Sequence, residues 1–486
     1  MINYDIPLII RGRVIRDNPV SFTARRGEVQ FTTPDANLYL DQLVLRNPQD
    51  MLDIQRMKVD EIIDYLVALG ERLDVTSNPH LKFARDICIE GSGLSVGTID
   101  FMFSNLAAVL KREILEQIVE NNIGMAVLDG WQPCLDGARR VDVRAFGSRA
   151  VHINAGNAAS LALHGTLTNA LLKSDAIIKL PSNDPFTASA IALTMIEMAP
   201  DHPVTRHLSV AYWQGGNQAF ESRLFRPVNV EKIIAWGGFA SMKHIRTYLA
   251  PGVDLIALDP KISASIIGRE VFESEETMRA VAGRLAMDVG GFNQEACVNS
   301  RLTYVEVADN GDGIALLNRF GELVYEAIQN LPAEVSGAHP AFDSALREEI
   351  SDLRFNDLFK IVGGKDSEGA VIVSQEAEPV EFSEQLGCRV ANLVPVRSID
   401  EALDYITVHT QTVGVYPDAL KERIRDACAV RGAQRLTSLG GALGESMAQP
   451  HDAIEQFRRM VRWVVDETIN ASPQSFDPSA SLRMWA

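Results

Sequence analysis

The feature that most constrains the fold is an alternation of apolar, strand-like runs with helix-like runs between residues 140 and 258. The runs DAIIKL, LSVAYW and EKIIAW are short and apolar, and each leads into a turn rich in Gly, Asn, Ser or Pro. Helix-like stretches of about 10–15 residues separate them, and this order is typical of βαβ units with a mainly parallel sheet. Ligands of such open sheets bind at the carboxyl ends of the strands. We therefore expect an α/β fold whose functional residues follow the strands.

A second α/β block is predicted from about residue 259. Helical periodicity covers 275–290 and 315–331, and strand-like runs appear as LTYVEV, AVIVS and CRVANLVPV. A glycine-rich stretch, SLGGALGES, follows these elements, and we expect a helix over 452–469. Two blocks agree with the length of 486 residues, which is too long for one ordinary domain.

Composition excludes several classes of function. The chain has 46 Lys plus Arg against 64 Asp plus Glu, and this formal net charge of −18 lacks the basic surface that nucleic acids or anionic membranes require. No apolar run is long enough to span a membrane. The five cysteines are far apart, and no His or Cys spacing is typical of a metal site. We therefore predict no metal and a reducing, cytoplasmic location.

Cys297 is the strongest candidate for a nucleophile. It lies in DVGGFNQEACVNSR, between a predicted helix and a predicted strand, in a polar turn that a substrate can reach. A thiolate in such a turn can attack a carbonyl group. A free cysteine is more often a small core residue, and the local sequence leaves both interpretations open. The other four cysteines lack such a setting, and we expect them to be structural.

Candidate nucleotide-binding residues follow the strands of the first block. Lys179 ends the buried run AIIK and Ser182 follows it, so the lysine can bind a ribose hydroxyl or a phosphate, or it can simply extend from the strand end into solvent. The pairs Gly215–Gly216 and Gly237–Gly238 also follow strands. Either pair can let a pyrophosphate approach the backbone, although taken alone each pair is more often a tight turn. The common dinucleotide motif GxGxxG is absent.

A carboxamide, Asn157 in HINAGNAAS, stands between a predicted strand and a predicted helix, with only small neighbours. A side-chain amide in that position can donate a hydrogen bond to a developing oxyanion. Taken alone, an asparagine there is more often a helix N-cap.

In combination, these motifs resemble the fatty acid reductase (long-chain acyl-CoA reductase, LuxC-like) family of the aldehyde dehydrogenase superfamily. The resemblance follows one order along residues 145–465: HINAGNAAS, LLKSDAIIKLPSNDP, WQGGN, AWGG, FNQEAC, SEQLGCRVANLVPV and PHDAIEQFRRMVRW. An ordered series of motifs is more specific than any one of them. The resemblance implies an aldehyde dehydrogenase-like fold, with two doubly wound α/β domains plus an oligomerisation arm.

The same resemblance implies a division of the chain. Residues 1–258, which include the N-terminal strands and helices, would form the dinucleotide-binding domain. Residues 259–435 would form the catalytic domain with the cysteine nucleophile, and 436–486 would return to the first domain. The resemblance further implies a homodimer or homotetramer, and an acyl-protein synthetase as the partner that hands over the acyl group.

The catalytic roles of the family match two residues of this chain. Cys297 corresponds to the nucleophile. Asn157 corresponds to the carboxamide of the oxyanion hole, which it would form together with the backbone N–H of Cys297. A base near the thiol would assist, and His152 and His451 are both candidates, neither of them favoured by the sequence.

The cofactor-binding roles of the family match five residues. Lys179 and Ser182 correspond to the residues that bind the adenosine ribose. Gly237 and Gly238 correspond to the loop that lies next to the pyrophosphate. Glu384 in SEQLG corresponds to the glutamate that binds the nicotinamide ribose.

Two departures from the superfamily refine the predicted reaction. Typical aldehyde dehydrogenases carry a Glu-Leu-Gly-Gly motif whose glutamate activates water, and the corresponding stretch here, IALDPKISAS, has no glutamate. An acidic residue near the adenosine lysine is replaced by Ser182, which removes a charge that would repel a ribose 2′-phosphate, although Asp184 is close in sequence. We therefore predict NADPH as the cofactor, with NADH as the alternative.

The predicted function is reduction of an activated, long-chain acyl thioester to the aldehyde through a thioester on Cys297. The substrate is expected to be an acyl-CoA or an acyl-carrier. Two alternatives stay open at this point: oxidation of an aldehyde to the acid, and binding of a nucleotide without catalysis. The missing glutamate argues against the first alternative, and the presence of Cys297, Asn157 and Lys179 argues against the second.

Overall fold

The computed structural model of the chain describes residues 3–24, 29–136, 139–156 and 159–468. In chain order, the strands are β1 (Asn3–Asp5), β2 (Leu8–Ile10), β3 (Arg13–Ile15), β4 (Pro19–Thr23), β5 (Gln30–Pro34), β6 (Gln132–Asp136), β7 (Arg139–Phe146), β8 (Arg149–Ile153), β9 (Asp175–Lys179), β10 (Leu208–Ala211), β11 (Lys232–Trp236), β12 (Asp254–Leu258), β13 (Ile262–Ile267), β14 (Ser300–Glu306), β15 (Phe359–Gly363), β16 (Ala370–Ser374), β17 (Val390–Val396), β18 (Thr410–Tyr416), β19 (Arg435–Ser438) and β20 (Arg462–Thr468).

In the same order, the α-helices are α1 (Ala36–Leu43), α2 (Leu52–Arg56), α3 (Val59–Gly70), α4 (Pro79–Gly91), α5 (Val96–Ser104), α6 (Arg112–Asn122), α7 (Met125–Asp129), α8 (Ser160–Leu171), α9 (Thr187–Met198), α10 (Pro203–Arg206), α11 (Gln218–Leu224), α12 (Phe239–Arg246), α13 (Glu275–Gly290), α14 (Gly311–Gln329), α15 (Ser344–Leu353), α16 (Ile399–Asp404), α17 (Asp418–Arg431) and α18 (Gln456–Met460). Within the described residues, no helix is both long enough and apolar enough to cross a bilayer.

The first large sheet has the strand order β12-β11-β8-β9-β10-β2-β3. Strands β8 to β12 are parallel to one another, and the N-terminal hairpin β2–β3 adds antiparallel strands at one edge. Both faces of the sheet are covered, because Ile177 and Ile178 of β9 point into two separate apolar cores. Burial on both faces explains why these strands read as continuous apolar runs.

The order of the strands reverses at β8, which lies between β9 and β11. From β8 the chain builds outwards through β9 and β10, and it then crosses back to form β11 and β12 on the other side. Such a reversal opens a crevice at the carboxyl ends of the strands, where open α/β sheets bind their ligands. Asn154, Lys179 and Gly237 end or follow these strands and therefore border the crevice.

The second large sheet has the strand order β15-β16-β17-β14-β13-β18-β19. Its strands are parallel except for β15, which is antiparallel to β16. Helices α13 and α14 cover one face, and α16 and α17 cover the other. The chain thus contains two parallel sheets with helices on both faces, and the predicted α/β fold class is confirmed.

Two small sheets accompany the large ones, in the orders β1-β5-β4 and β20-β7-β6. The first of them reaches the carboxyl edge of the first large sheet, where the rings of Phe22 and Tyr212 pack with their centroids 4.7 Å apart. The N-terminal strands therefore border the crevice as well.

The predicted helix over 452–469 is wrong for most of its length. Only α18 is helical, and Arg462–Thr468 form β20, which is antiparallel to β7. Val464 and Val465 favour a strand, because β-branched residues fit a pleated sheet. The partner strand β7 comes from a distant part of the chain and supplies the hydrogen bonds that decide between the two conformations.

Candidate active site

Lys179 ends β9 at the carboxyl edge of the first sheet. Its Nζ atom lies 5.5 Å from the ring centroids of both Tyr212 and Trp213, which follow β10. Burial lowers the pKa of the amine to about 8, and the charge of Glu221 opposes part of this effect. The hydrogen bond from Nζ to the carbonyl oxygen of Leu180 is long, at 3.4 Å. The ammonium group therefore keeps donors for a ligand.

A cavity of about 520 Å³ opens beside this lysine. Ser182 and Gln214 line it from the first sheet, and residues 21–23 of β4 line it from the small N-terminal sheet. No carboxylate is found among the described residues that line the cavity. Asp184 is buried instead, and its Oδ1 atom accepts hydrogen bonds from the backbone N–H and the hydroxyl of Thr187, at 3.0 and 2.6 Å. This carboxylate therefore faces the core.

The loop after β11 carries Gly237 and Gly238 and leads into α12. A side chain at Gly238 would meet no atom within 4 Å, so a ligand can approach the backbone there. Gly237 is more tightly packed, because a Cβ atom would lie 3.3 Å from Ser241. The N–H groups at the start of α12 favour an anionic group. The loop can therefore admit a pyrophosphate.

Asn157 lies outside the described residues, and its role stays a prediction. The loop that leads to it starts at Asn154, whose Nδ2 atom donates a hydrogen bond to the carbonyl oxygen of Leu161 at 3.3 Å. The carbonyl oxygen of Gly156 accepts a hydrogen bond from Nδ2 of Asn183 at 2.9 Å. This end of the loop is thus tied to the segment that follows Lys179 and Ser182.

Cys297 lies in the loop between α13 and β14, at the amino end of the second sheet, and is half-buried. Three consecutive non-glycine residues before it have positive φ: Phe292 at 49°, Asn293 at 54° and Gln294 at 65°. This backbone conformation is unfavourable for residues with a side chain, and it persists only where surrounding contacts hold it.

Long-range hydrogen bonds hold this strained segment. The Gln294 amide pairs with the backbone of Val390, at 2.7 Å to the N–H group and 2.8 Å to the carbonyl oxygen. Oδ1 of Asn293 accepts a backbone N–H from the loop between α14 and α15 at 3.1 Å. Glu295 contacts Nε2 of His339, also at 3.1 Å. The motif FNQEAC therefore places the thiol on a rigid loop.

The surroundings of the thiol disfavour its ionised form. Burial raises the pKa of Cys297 to about 11, and the charges of Asp452 and Glu445 add to the increase, while a hydrogen bond from Gln411 opposes it. The carbonyl oxygen of Cys297 accepts a hydrogen bond from Oγ of Ser263 at 2.8 Å. The thiol form is therefore favoured, and Cys297 would need a base in order to act as a nucleophile.

The side chains next to the thiol come from β18 and from the C-terminal segment. Nε2 of Gln411 donates a hydrogen bond to Oδ1 of Asp452 at 2.5 Å, and Nδ1 of His451 lies 2.7 Å from Oε1 of Glu445. The His451 ring packs against Trp236, the last residue of β11, with centroids 5.0 Å apart. The nucleophile loop and the crevice of the first sheet meet at this cluster.

Sequence reasoning missed Gln411, Asp452 and Glu445 as residues that act on Cys297. The motif PHDAIEQF was a signal for this segment, but its pattern favoured a helix start and said nothing about Cys297. Of the two histidines considered as bases, His152 is buried inside β8, and burial lowers its pKa to about 4.

Glu384 lies on an exposed turn before β17. Its backbone carbonyl oxygen accepts a hydrogen bond from Nη1 of Arg301 at 2.6 Å. The charge of Arg301 is also within electrostatic reach of Cys297. One arginine of β14 therefore connects Cys297 to the loop that carries the predicted ligand of the nicotinamide ribose.

The remaining cysteines have other environments. Cys88, Cys388 and Cys428 are buried, and Cys134 is exposed. Burial raises the pKa of Cys428 to about 11 and also raises that of Cys88. Within the described ranges, no group of three or more His, Cys, Asp or Glu side chains could hold a metal ion.

Comparison with known proteins places the chain in a family. The model of the acyl-CoA reductase (LuxC) family matches residues 54–463. The long-chain acyl-protein thioester reductase of Vibrio harveyi is 25% identical over 476 residues, which cover 95% of this chain and 93% of that protein. The protein of the same name from Photorhabdus laumondii is 27% identical over 448 residues, which cover 89% of this chain and 88% of that protein.

Solved structures show the same fold. Aldehyde dehydrogenase 21 from Physcomitrella patens has a TM-score of 0.75 at 11% identity, over 97% of this chain and 100% of that chain. An NADP-dependent glyceraldehyde-3-phosphate dehydrogenase from Bacillus halodurans has a TM-score of 0.72 at 10% identity, over 96% and 100% of the two chains. At such identities the likeness concerns the fold alone. The chain therefore belongs to the acyl-CoA reductase (LuxC) family, and it is an acyl-reducing oxidoreductase with the aldehyde dehydrogenase fold.

Proposed function

We propose that this protein reduces a long-chain acyl thioester to the aldehyde with NADPH, through a thioester on Cys297. The observation that carries the proposal is the junction of the two sheets. Trp236 ends β11 next to Gly237 and packs against His451, and the neighbouring Asp452 shares Gln411 with Cys297. These contacts support a nucleophilic role for Cys297 beside the crevice in which a nucleotide would bind.

The residues of the crevice fit a nicotinamide dinucleotide. Lys179 and Ser182 would bind the adenosine ribose, Gly237 and Gly238 would pass the pyrophosphate, and Glu384 would bind the nicotinamide ribose. The open space at Gly238 and the retained donors of Lys179 support this assignment. When bound, a reduced nicotinamide supplies a hydride equivalent for the acyl carbon.

NADPH is proposed rather than NADH because the described lining of the cavity at Lys179 carries no carboxylate. A carboxylate there would repel the 2′-phosphate that distinguishes NADPH. Asp184, the acidic residue closest to Ser182 in sequence, is turned into the core.

The chain's own residues would carry the acyl transfer. The Cys297 sulfur attacks the thioester carbonyl, and the thiol of coenzyme A or of a carrier's pantetheine leaves. Asn157 and the backbone N–H of Cys297 would donate hydrogen bonds to the tetrahedral oxyanion, a role worth about 3–4 kcal/mol per donor.

The absence of a water-activating glutamate supports reduction of the acyl-enzyme over its hydrolysis. The stretch IALDPKISAS offers no glutamate to activate water, and its one carboxylate, Asp259, lies 3.2 Å from Arg246 in an ion pair. We therefore expect the acyl-enzyme to await reduction instead of hydrolysis. The acyl group is proposed to be long-chain and protein-bound or CoA-bound, because the curated relatives are long-chain acyl-protein thioester reductases.

Domain roles and assembly belong to the same proposal. Residues 1–258 would bind the dinucleotide, 259–435 would carry the nucleophile, and 436–486 would return to the first domain, as the pairing of β20 with β7 supports. The outer edge of β20 has no partner among the described strands, and Val465 on it is exposed, which supports a homodimer or homotetramer. An acyl-protein synthetase as partner and a cytoplasmic location complete the proposal.

Intact-mass measurement tests the proposed function. The protein is mixed with myristoyl-CoA in the absence of nicotinamide, and NADPH is then added. We expect a stable mass gain of one acyl group that disappears with NADPH as the aldehyde forms. The gain should be absent in Cys297→Ser and retained in Cys134→Ser, which removes an exposed thiol.

Three other outcomes would contradict parts of the proposal. An adduct that decays to free acid without NADPH would make the protein a thioesterase or an aldehyde oxidiser. Cofactor binding without any adduct, from acyl-CoA or acyl-carrier donors, would favour a nucleotide-binding protein without catalysis. An adduct that persists in Cys297→Ser would place the nucleophile elsewhere.

A further inference from the structure

We propose that Asp452 is the base that receives the proton of the Cys297 thiol. The proposal rests on the proposed acyl transfer to Cys297, and it identifies the group that replaces the glutamate missing from IALDPKISAS. The base would come from the C-terminal segment, which leads into β20 of the small sheet β20-β7-β6.

A tight turn aims the Asp452 side chain into the site. Asp452 and Ala453 both have positive φ, at 50° and 57°, and two backbone hydrogen bonds between His451 and Ile454, of 2.8 and 3.2 Å, close the turn around them. Alanine rarely adopts this conformation, so the contacts of the folded protein must hold it. The carboxylate at its tip is only 4% exposed.

Gln411 is a shared neighbour of this carboxylate and of Cys297. It donates to Oδ1 of Asp452 at 2.5 Å, and the same side chain lowers the pKa of the Cys297 thiol. The next residue, Thr412, donates its backbone N–H to Oγ of Ser263 at 3.1 Å, and Ser263 donates to the carbonyl oxygen of Cys297 at 2.8 Å. Asp452 and Cys297 thus share one neighbouring amide, and the proposal requires that the carboxylate reach the thiol proton directly or through one water.

Glu445, the second carboxylate near the thiol, is in a different position. It is bound to Nδ1 of His451 at 2.7 Å, and its side chain is 30% exposed. The charge of Asp452 also affects the Cys297 thiol more strongly than the charge of Glu445 does. Of the two, Asp452 is therefore the acceptor, and Glu445 orients His451.

The protons balance over the acyl transfer. The thiol proton of Cys297 moves to the Asp452 carboxylate while the sulfur forms its bond to the acyl carbon. The carbon–sulfur bond to the donor then breaks, and the proton passes from Asp452 to the leaving thiolate. The products are the acyl-enzyme, a free donor thiol and an ionised Asp452, so the base is ready for the next turnover.

The charged groups that face Asp452 set its proton affinity. His451, Lys261 and Glu445 act on the carboxylate together with the hydrogen bond from Gln411, and burial has the largest effect, so that the pKa of Asp452 is raised. A raised pKa makes a carboxylate a stronger base. As the pH falls through this pKa, Asp452 becomes protonated and can no longer accept the thiol proton.

Two reactions of Cys297 test the assignment in the full-length protein. One is acylation by myristoyl-CoA, which needs the base. The other is alkylation by iodoacetamide, which depends on the thiolate already present. Peptide mass mapping reports both rates at Cys297, and the exposed Cys134 serves as an internal reference for the reagent.

Asp452→Asn should change the two rates in opposite directions. Acylation at pH 7 should fall about 100-fold, the usual contribution of a general base. The decrease of the acylation rate at low pH, which protonation of Asp452 causes in the unaltered protein, should also disappear. Alkylation should rise about tenfold, because removal of a negative charge lowers the pKa of the thiol, and one pKa unit is a factor of ten. Asp452→Glu should restore acylation to within about tenfold, and Asp426→Asn, a surface carboxylate that is 97% exposed, should change neither rate.

The other results overturn the assignment. A fall in both rates would mean that Asp452 only maintains the structure. A rise in both rates would mean that its charge only hinders the thiol, and unchanged acylation would place the base elsewhere. If Cys297 of the unaltered protein is alkylated but never acylated by CoA or carrier donors, the proposed function itself fails.

Discussion

The two large sheets carry their candidate site residues at opposite ends of their strands. In the first sheet, Lys179 and Gly237 lie at the carboxyl ends of β9 and β11, where ligands of open α/β sheets bind. In the second sheet, Ser263, Cys297 and Gln411 lie at the amino ends of β13, β14 and β18. The crevice of the first sheet and the nucleophile loop of the second meet where Trp236 contacts the C-terminal segment.

The difference reflects two tasks. A dinucleotide must enter and leave, and the open space at Gly238 suits that exchange. The proposed nucleophile must stay in one place, and the strained backbone at Phe292 to Gln294 holds Cys297 through contacts with remote segments. We therefore expect cofactor binding and acyl transfer to be separable by mutation.

The largest expected effect is a loss of reductase activity that leaves cofactor binding unchanged. Cys297→Ser should reduce reductase activity by about 10³-fold or more, because the covalent intermediate is lost. The dissociation constant for NADPH, measured by nucleotide fluorescence, should change less than about twofold. A large loss of NADPH affinity would show that the two edges are not independent.

The converse change is made at Lys179. Lys179→Met should weaken NADPH binding about 10- to 100-fold, the equivalent of a charge-assisted hydrogen bond. The rate of acyl-enzyme formation without cofactor should stay as in the unaltered protein. Reduced acylation would mean that this lysine supports the nucleophile loop as well.

The pH dependence of cofactor binding follows from the same lysine. Burial lowers the pKa of Lys179 to about 8, so its positive charge is present below that pH and is lost as the pH rises through it. The KM for NADPH should therefore increase above about pH 8 in the unaltered protein. The profile of Lys179→Met should be flat over this range, and a persistent rise would assign the titration to another group.

A smaller effect is expected at the pyrophosphate loop. Gly238→Ala should weaken NADPH binding about tenfold, because the added methyl group occupies the space that a phosphate would approach. The melting temperature should stay within a few degrees, since no protein atom lies within 4 Å of the new carbon. Gly311→Ala, at an equally open position, is the matched control and should leave binding unchanged.

The smallest effect is expected at Arg301, which connects Cys297 to the loop of Glu384. Arg301→Lys keeps the charge near Cys297 but loses the guanidinium bond to the carbonyl oxygen of Glu384. The KM for NADPH should rise about fivefold, the value of one hydrogen bond, while acylation stays constant. Arg301→Gln, which also removes the positive charge, should slow acylation as well. Equal acylation rates in the two variants would show that the charge of Arg301 does not act on Cys297.

The position of Lys179 and Gly237 at the carboxyl edge of the first sheet could be predicted from the sequence. Buried parallel strands are continuous apolar runs, and the residues that end such runs border the crevice where open α/β sheets bind ligands. Cys297 was identified from its polar turn and from the order of the surrounding motifs. The same reasoning could not recognise that Phe22 and Thr23 border the cavity at Lys179, because β4 reaches it from another sheet.

The surroundings of the nucleophile escaped prediction for a related reason. Gln411 and Asp452 are distant from Cys297 in sequence, and no periodicity relates them. Asp184 appeared close to the adenosine site, but its turn points the carboxylate towards Thr187 in the core.

By itself, the sequence determined the α/β class, the strands of the first large sheet, part of the strands of the second and the motifs that identify the family. These depend on local apolar patterns, which act over a few residues and leave a visible period. Only the tertiary structure decided that Arg462–Thr468 form a strand and that Asp452 stands beside Cys297. Both outcomes depend on partners brought close by folding, the hydrogen bonds of β7 and the amide of Gln411, and such contacts have no trace in the neighbouring residues.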